Sequence, residues 1–128
     1  MLANTEAMAT IAVRDIAAAR AFYGNVLGLQ ENPVGGEAEG EVLSYLSGSS
    51  QLMVYQSEFA GGNKATSATW TVGDEIEEIV AALKNKGVTF EHYQMPGLQL
   101  LGDIHVGDAM KVAWFKDPDG NILSIAGN

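Results

Sequence analysis

His92 and His105 are the only side chains of the chain that ordinarily change charge near neutral pH. Either is a candidate general acid or base, or a hydrogen-bonding group for a ligand. Glu91, Asp103 and Asp108 lie close by, so this stretch holds enough ligand types for a non-standard metal site, and Asp103 and His105 would share one side of an extended loop. The plainer alternative is a solvated or hydrogen-bonded histidine at a strand end and another in a Gly-rich acidic loop. Cysteine is absent, which excludes disulfides, thiolate metal ligands and cysteine nucleophiles, and fits a reducing compartment. Gly35-Gly36 and Gly61-Gly62 have neither phosphate-loop spacing nor a lysine-serine pair behind them, so they read as loop punctuation. The acidic run Asp74, Glu75, Glu77 and Glu78 reads as a solvated helix start that complements the helix dipole.

A second kind of chemistry is suggested by bulk rather than charge. Tyr45, Tyr55, Trp70, Tyr93, Trp114 and Phe115 are more aromatic surface than a core of this size needs. Tyr55 shares strand parity with Met53, so Tyr45 and Tyr55, with Phe115 or Trp114, are expected to point into a cavity, while Trp70 is expected under a helix. A methionine and aromatic cleft with a few hydroxyls suits a planar or apolar organic ligand. The alternative is that these side chains fill the cavity themselves.

Composition narrows the partners. The 128 residues are 47% apolar and 18% charged, the balance of an ordinary globular domain of one core. A formal net charge of −9 would repel phosphate backbones and anionic lipid heads, so neither nucleic acid nor a membrane is an expected partner. No run approaches the roughly 18 apolar residues that a bilayer span requires, and no basic stretch leads into an apolar one at the start. A cytoplasmic location is the expectation.

The elements that must position these residues are written twice. Ala9, Thr10, Val13, Asp15 and Gly28 recur 59 positions later as Ala68, Thr69, Val72, Asp74 and Gly87. In the first copy, residues 8–14 read as a strand, Asp15 as an N-cap, and Ile16, Ala19, Phe22, Tyr23, Val26 and Leu27 as one helical stripe ended by Gly28. In the second, residues 67–72 read as the strand, Asp74 as the cap, Ile76, Ile79, Val80 and Leu83 as the stripe, and Gly87 as the stop. Strands are then expected at 30–32, 41–46 and 51–56, with turns at Gly35, Gly36, Gly40 and Gly48, and at 88–93, 110–116 and 121–125. The stretch from Tyr93 to Met110 reads as a long loop over a pocket, inserted between helix and final hairpin, because Leu52 and Leu123 are 71 apart rather than 59.

The expected fold is α+β: one domain, 1–128, made of a βαβββ module at 7–56 and another at 66–126, a curved mixed sheet with its helices outside. Strand alternation puts Ala9, Ile11 and Val13, and Ala68, Trp70 and Val72, toward the helices. Met8, Thr10 and Ala12, and Ser67, Thr69 and Thr71, fall on the other, concave side.

The segment IAVRDIAAARAFYGNVLGL resembles the first strand and helix of the vicinal oxygen chelate superfamily, the glyoxalase, bleomycin-resistance and dioxygenase group, and AWFKDPDGNILSI resembles its closing hairpin. The resemblance implies a glyoxalase-like fold over nearly the whole chain. It leaves the activity open, because the group includes lyases, dioxygenases, epimerases, thiol transferases and antibiotic-binding proteins. Enzymes of the group hold a divalent metal through four strand positions, usually His or Gln, then Glu, His and Glu. Carried over one at a time, those positions are Met8, Met53, Ser67 and Ser124. Thioethers and neutral hydroxyls suit a hard divalent ion poorly, so neither a metal ion nor another cofactor is expected. The leading expectation is metal-independent binding of a small organic molecule by Met8, Thr10, Tyr45, Met53, Tyr55, Ser67, Thr69, Phe115 and Ser124, as in the bleomycin-resistance branch. The alternative is a glyoxalase-related lyase or isomerase using His92 or His105, or a non-standard metal site. A protein whose filled cavity serves contact with another protein is a third possibility. The resemblance also implies a homodimer, although the loop at 57–65 would let one chain close its own sheet.

Overall fold

A computed structural model describes residues 1–32 and 42–128; the expected turns at Gly35, Gly36 and Gly40, and Glu41 of the expected strand, lie outside them. The described residues form two compact units, Met1–Asn63 with Pro118–Asn121, and Lys64–Asp117 with Ile122–Asn128. Each sets a helix against one face of a sheet, an α+β arrangement.

The first unit contains β1 (Ala9–Val13), α1 (Ile16–Ala19), β2 (Gln30–Glu31), β3 (Val42–Ser47) and β4 (Ser50–Gln56). Its sheet runs β1-β4-β3-β2, with β1 parallel to β4 and the other pairs antiparallel. Asp15 caps as its spacing suggests, its Oδ1 accepting from the Ala18 N–H at 3.1 Å. The helix is less regular than its stripe implies. After one α turn, Arg20–Val26 widens into a π-helical stretch, in which the Leu27 N–H reaches back to the Phe22 carbonyl at 2.9 Å. Gly28, at φ 77°, then ends it in the left-handed conformation that glycine adopts without strain.

Period-two alternation sorts this sheet. Ile11, Val13, Leu43, Tyr45, Leu52 and Val54 are each 3% exposed or less, and the register sets Ile11 and Leu43 beside Val54 and Tyr45 beside Leu52. This is the helix-covered layer, since the Tyr23 ring from the π-helical stretch lies 6.2 Å from the Tyr45 ring. The turn Pro118–Asn121 belongs to the same unit: the Asn121 side-chain amide donates to the Ala12 carbonyl at 2.7 Å. A Cβ at Gly61 would collide with the Asp119 carbonyl, so only glycine allows that approach.

The second unit contains β5 (Thr66–Gly73), α2 (Ile76–Asn85), β6 (Phe90–Glu91), β7 (Gln99–Leu101), β8 (Ile104–Val106), β9 (Lys111–Lys116) and β10 (Ile122–Gly127). The sequence β5-β10-β9, with β6 beside β9 and β5 parallel to β10, repeats the strand order of the first unit. The insertion is a hairpin rather than a loop, which corrects the reading of residues 93–110. β7 and β8 pair with each other and β8 extends the β9 edge; Leu101 opposes Ile104 across a two-residue Gly102-Asp103 turn with Gly102 at φ 65°.

Asp74 does not cap α2. β5 runs on to Gly73, the Glu75 N–H bonds the Val72 carbonyl at 3.2 Å, and Glu75 holds the cap position without a side-chain bond. The apolar stripe survives as Ile76, Val80 and Leu83, all buried, and Glu77 and Glu78 occupy the positive end of the helix dipole. The helix side of this sheet is marked by Gly127, where a Cβ would press on Ile76, and by Lys111, whose ammonium bonds Glu77 at 2.6 Å. By alternation and register, Leu123, Ile125, Ala68, Trp70, Ala113 and Phe115 share that side. No helix of the described residues is long and apolar enough to cross a membrane.

Candidate functional site

On the helix-free face of the first unit, Thr10, Met53 and Ser44 form one row, and Ala12, Tyr55 and Val42 the next. Met8 immediately precedes β1 and accepts from the Thr10 hydroxyl through its carbonyl at 3.3 Å. Met8, Val42, Leu46 and Tyr55 are each about two-fifths exposed, so this face is apolar as well as accessible. Tyr45 is not part of it, a correction to the sequence reading. It lies in the helix-covered layer with no exposure, and its hydroxyl has no hydrogen-bond partner among the described residues. Burial pushes its ionisation above the ordinary tyrosine value; Glu31 adds to this and Arg20 opposes it.

On the helix-free face of the second unit, Thr69 and Ser124 are register partners whose hydroxyl oxygens lie 2.7 Å apart. Trp114 flanks Ser124 on the next strand, and its indole N–H donates to Thr66 Oγ1 at 3.1 Å. Ser67 falls at a bulge, since Thr66 pairs with Ile122 and Ala68 with Leu123. Phe115 takes the helix side, 1% exposed and edge-on to Phe90 at 5.7 Å. Of the two aromatic candidates on β9, Trp114 is therefore the one on the helix-free side, and Phe115 is corrected to core.

The two histidines have different situations. His105 is 1% exposed; its Nε2 accepts from the Tyr93 N–H at 3.0 Å, and its Nδ1 lies 3.3 Å from the Val112 carbonyl. That network assigns the neutral Nδ1–H tautomer and leaves neither nitrogen for a substrate. Its ring braces Trp114 edge-on at 4.8 Å, and the Tyr93 ring meets Trp114 edge-on at 5.3 Å. His92 is half-exposed, with Nε2 2.8 Å from Asp103 Oδ1, while Lys84 Nζ lies 2.7 Å from Asp103 Oδ2. The ammonium of Lys84, then the imidazole of His92, hold the Asp103 carboxyl below the ordinary aspartate value. Asp103 thus faces His92 rather than His105, contrary to the extended-loop expectation.

Two cavities flank this region within the second unit. One of about 700 Å³ is lined by His92, Tyr93, Met95, Pro96, Leu98 and Leu100 among others. The other, of about 330 Å³, is lined by Lys64, Ala65, Thr66, Tyr93, Met95, Trp114 and Ile122. Lys64, Thr66 and Tyr93 were not singled out as ligand contacts by the sequence reading. Thr66 reaches the helix-free side through the bulge at Ser67, which strict alternation does not reveal.

The divalent metal that enzymes of the resembled group hold can be tested against the donors present. Met8 and Met53 offer thioethers, Ser67 and Ser124 neutral hydroxyls, and the Ser124 hydroxyl is already bonded to Thr69. These residues do not fit a hard divalent ion. Nor does any group of three or more His, Asp or Glu among the described residues form an alternative set of ligands.

A family model described as the glyoxalase/bleomycin resistance protein/dioxygenase superfamily matches residues 7–125. No curated protein matches the chain significantly. Among solved structures, a glyoxalase/dioxygenase from Nostoc punctiforme aligns with a TM-score of 0.73 at 18% identity, over 99% of this chain and 92% of its own. A lactoylglutathione lyase from Agrobacterium tumefaciens aligns at 0.70 and 15% identity, over 98% and 94%. A fosfomycin resistance protein from Listeria monocytogenes aligns at 0.67 and 14%, over 100% and 93%. At such identities these structures share the fold, and the family match extends over almost all of the sequence. The chain belongs to the glyoxalase/bleomycin resistance protein/dioxygenase superfamily.

Proposed function

We propose that this chain binds a small organic molecule in the cleft of its glyoxalase-like fold without a metal ion held by side chains. The observation that carries the reading is the donor set: the four family ligand positions hold Met8, Met53, Ser67 and Ser124, and the Ser124 hydroxyl is paired with Thr69 at 2.7 Å. Side chains of these types offer dispersion contacts and weak hydrogen bonds, which suit an aromatic framework. Each unit offers its own helix-free face for such contacts: Met8, Thr10, Met53 and Tyr55 in the first, and Ser67, Thr69, Ser124 and Trp114 in the second. Native mass spectrometry with elemental analysis of the purified protein tests it. An organic mass that dissociates under activation supports the reading; zinc, nickel, iron or manganese at one per chain would overturn it.

A second reading, acid/base catalysis in a glyoxalase-related enzyme, draws support from one arrangement. Asp103 orients His92 by its Nε2, which leaves Nδ1 as the nitrogen to exchange a proton beside the larger cavity. His92→Ala separates the two: binding persists if the chain is a binding protein, and turnover collapses if His92 is the base.

A further inference from the structure

We infer that the ligand is a planar organic anion, stacked on Trp114 with its charge against Lys64, an inference that rests on the proposed binding function and gives it a substrate class. The 330 Å³ cavity of the second unit supplies the shape argument. That volume lies at the small end of small-molecule sites, enough for one or two fused rings and too little for a peptide.

Its aromatic wall is fixed before any ligand arrives. The Trp114 N–H is satisfied by Thr66, and the indole is braced by Tyr93 and His105 at 5.3 and 4.8 Å. His105 is itself anchored through both nitrogens to backbone groups. A ring held on three sides, with no polar atom left to satisfy, offers its π surface and loses little entropy on binding. Met95 and Ile122 complete an apolar wall, and a thioether beside aromatic rings favours a flat ligand.

Charge then selects the sign. Among the described residues, Lys64 is the one ionic residue that lines this cavity, and it has no ion pair with any of them. The nearby carboxylate, Glu91, opposite Trp114 in register, has Lys116 at 3.9 Å. A planar cation would meet the Lys64 ammonium; a carboxylate or sulfonate would pair with it. On a chain of net charge −9, a lysine with no ion pair among the described residues places positive charge at this aromatic cavity against the prevailing sign. Tyr93 lines the same cavity.

The test uses three probes of one shape: 2-naphthoate, 2-naphthamide and 2-naphthylmethylammonium. Their affinities are measured by calorimetry, and their place of binding by the indole N–H signal that vanishes in Trp114→Leu. The unaltered protein should bind the naphthoate about three- to tenfold more tightly than the amide, and the ammonium least. Lys64→Gln should remove that preference and leave the amide affinity unchanged, and Lys64→Glu should reverse it. Equal affinity for amide and naphthoate, or a preference that survives Lys64→Gln, overturns the anion assignment while leaving small-molecule binding in place. Absence of binding by all three overturns it as well; if no organic mass co-purifies either, the binding reading falls with it. Lys64 is an exposed side chain, so its variants remain informative even if Trp114→Leu does not fold.

Discussion

Tyr45→Phe removes one oxygen from the helix-covered layer of the first unit, and its effect follows from that atom's surroundings. The ring is fully buried between the sheet and Tyr23, while the hydroxyl has no partner among the described residues. An unsatisfied buried hydroxyl costs about 1–3 kcal/mol, and phenylalanine keeps the packing while deleting that cost. Taking about 1 kcal/mol, and an unfolding entropy of about 2 cal/mol/K per residue over the whole chain, the melting temperature should rise by about 4 °C. The variant should also alter the alkaline limb. A tyrosine ionisation raised in the folded state contributes stability that is present below the ordinary value of 10.0 and is lost as the pH climbs through the raised one. Phenylalanine has no such limb, so the loss of stability above that pH should be shallower. Calorimetric melting at neutral and alkaline pH measures both effects. A fall in stability of more than about 1 kcal/mol would refute the reasoning, because it would mean that the hydroxyl makes a bond worth keeping. Weakened ligand binding with unchanged stability would refute it too, by returning Tyr45 to the ligand's side.

Two further outcomes follow from the histidines. His105→Leu strands the Tyr93 N–H and the Val112 carbonyl, so it should cost about 2–5 kcal/mol in urea unfolding, whereas exposed His92→Ala should cost under about 0.5 kcal/mol. Equal effects would refute the assigned bonds. Asp103 has its carboxyl lowered by Lys84 and His92, so its contribution is present above the ordinary aspartate value of 3.8 and is lost as pH falls through the lower folded one. Asp103→Asn should flatten that part of the acid unfolding curve, at a neutral-pH cost below about 1 kcal/mol because Lys84 and His92 are half-exposed; an unchanged acid limb counts against the pairing.

The sequence made some of this legible and hid the rest for identifiable reasons. The 59-residue repeat, the Asp15 cap, the glycine stops and the helix-facing parity of Ile11, Val13, Ala68 and Trp70 all depend on local rules, and local rules are written in the chain. Asp74 shares Asp15's place in the repeat but not its role, because β5 continues through Gly73 and shifts the helix start to Ile76. The β7–β8 hairpin was signalled by Gly102-Asp103 between apolar residues, a turn signature that the surrounding Pro96, Gly97 and Gly107 obscured. Trp114 and Phe115 could not be separated by alternation, since β9 carries apolar residues on both faces and only the register with β10 decides. Tyr45 and His105 depended on what packs around them: a buried tyrosine whose hydroxyl has no hydrogen-bond partner among the described residues and a histidine bonded twice to backbone look, in a sequence, like any polar aromatic in reach of a cleft.

The Thr69–Ser124 pair has a property that neither hydroxyl has alone. Either oxygen can donate across the 2.7 Å separation, and whichever accepts has its own hydrogen left to point elsewhere. Turning two hydrogens, with no heavy atom displaced, moves that spare hydrogen from one strand to its neighbour. Under the proposed binding function, a guest whose acceptor sits nearer β5 and another whose acceptor sits nearer β10 would then meet the same strands, so this face would tolerate related molecules without rearranging its backbone.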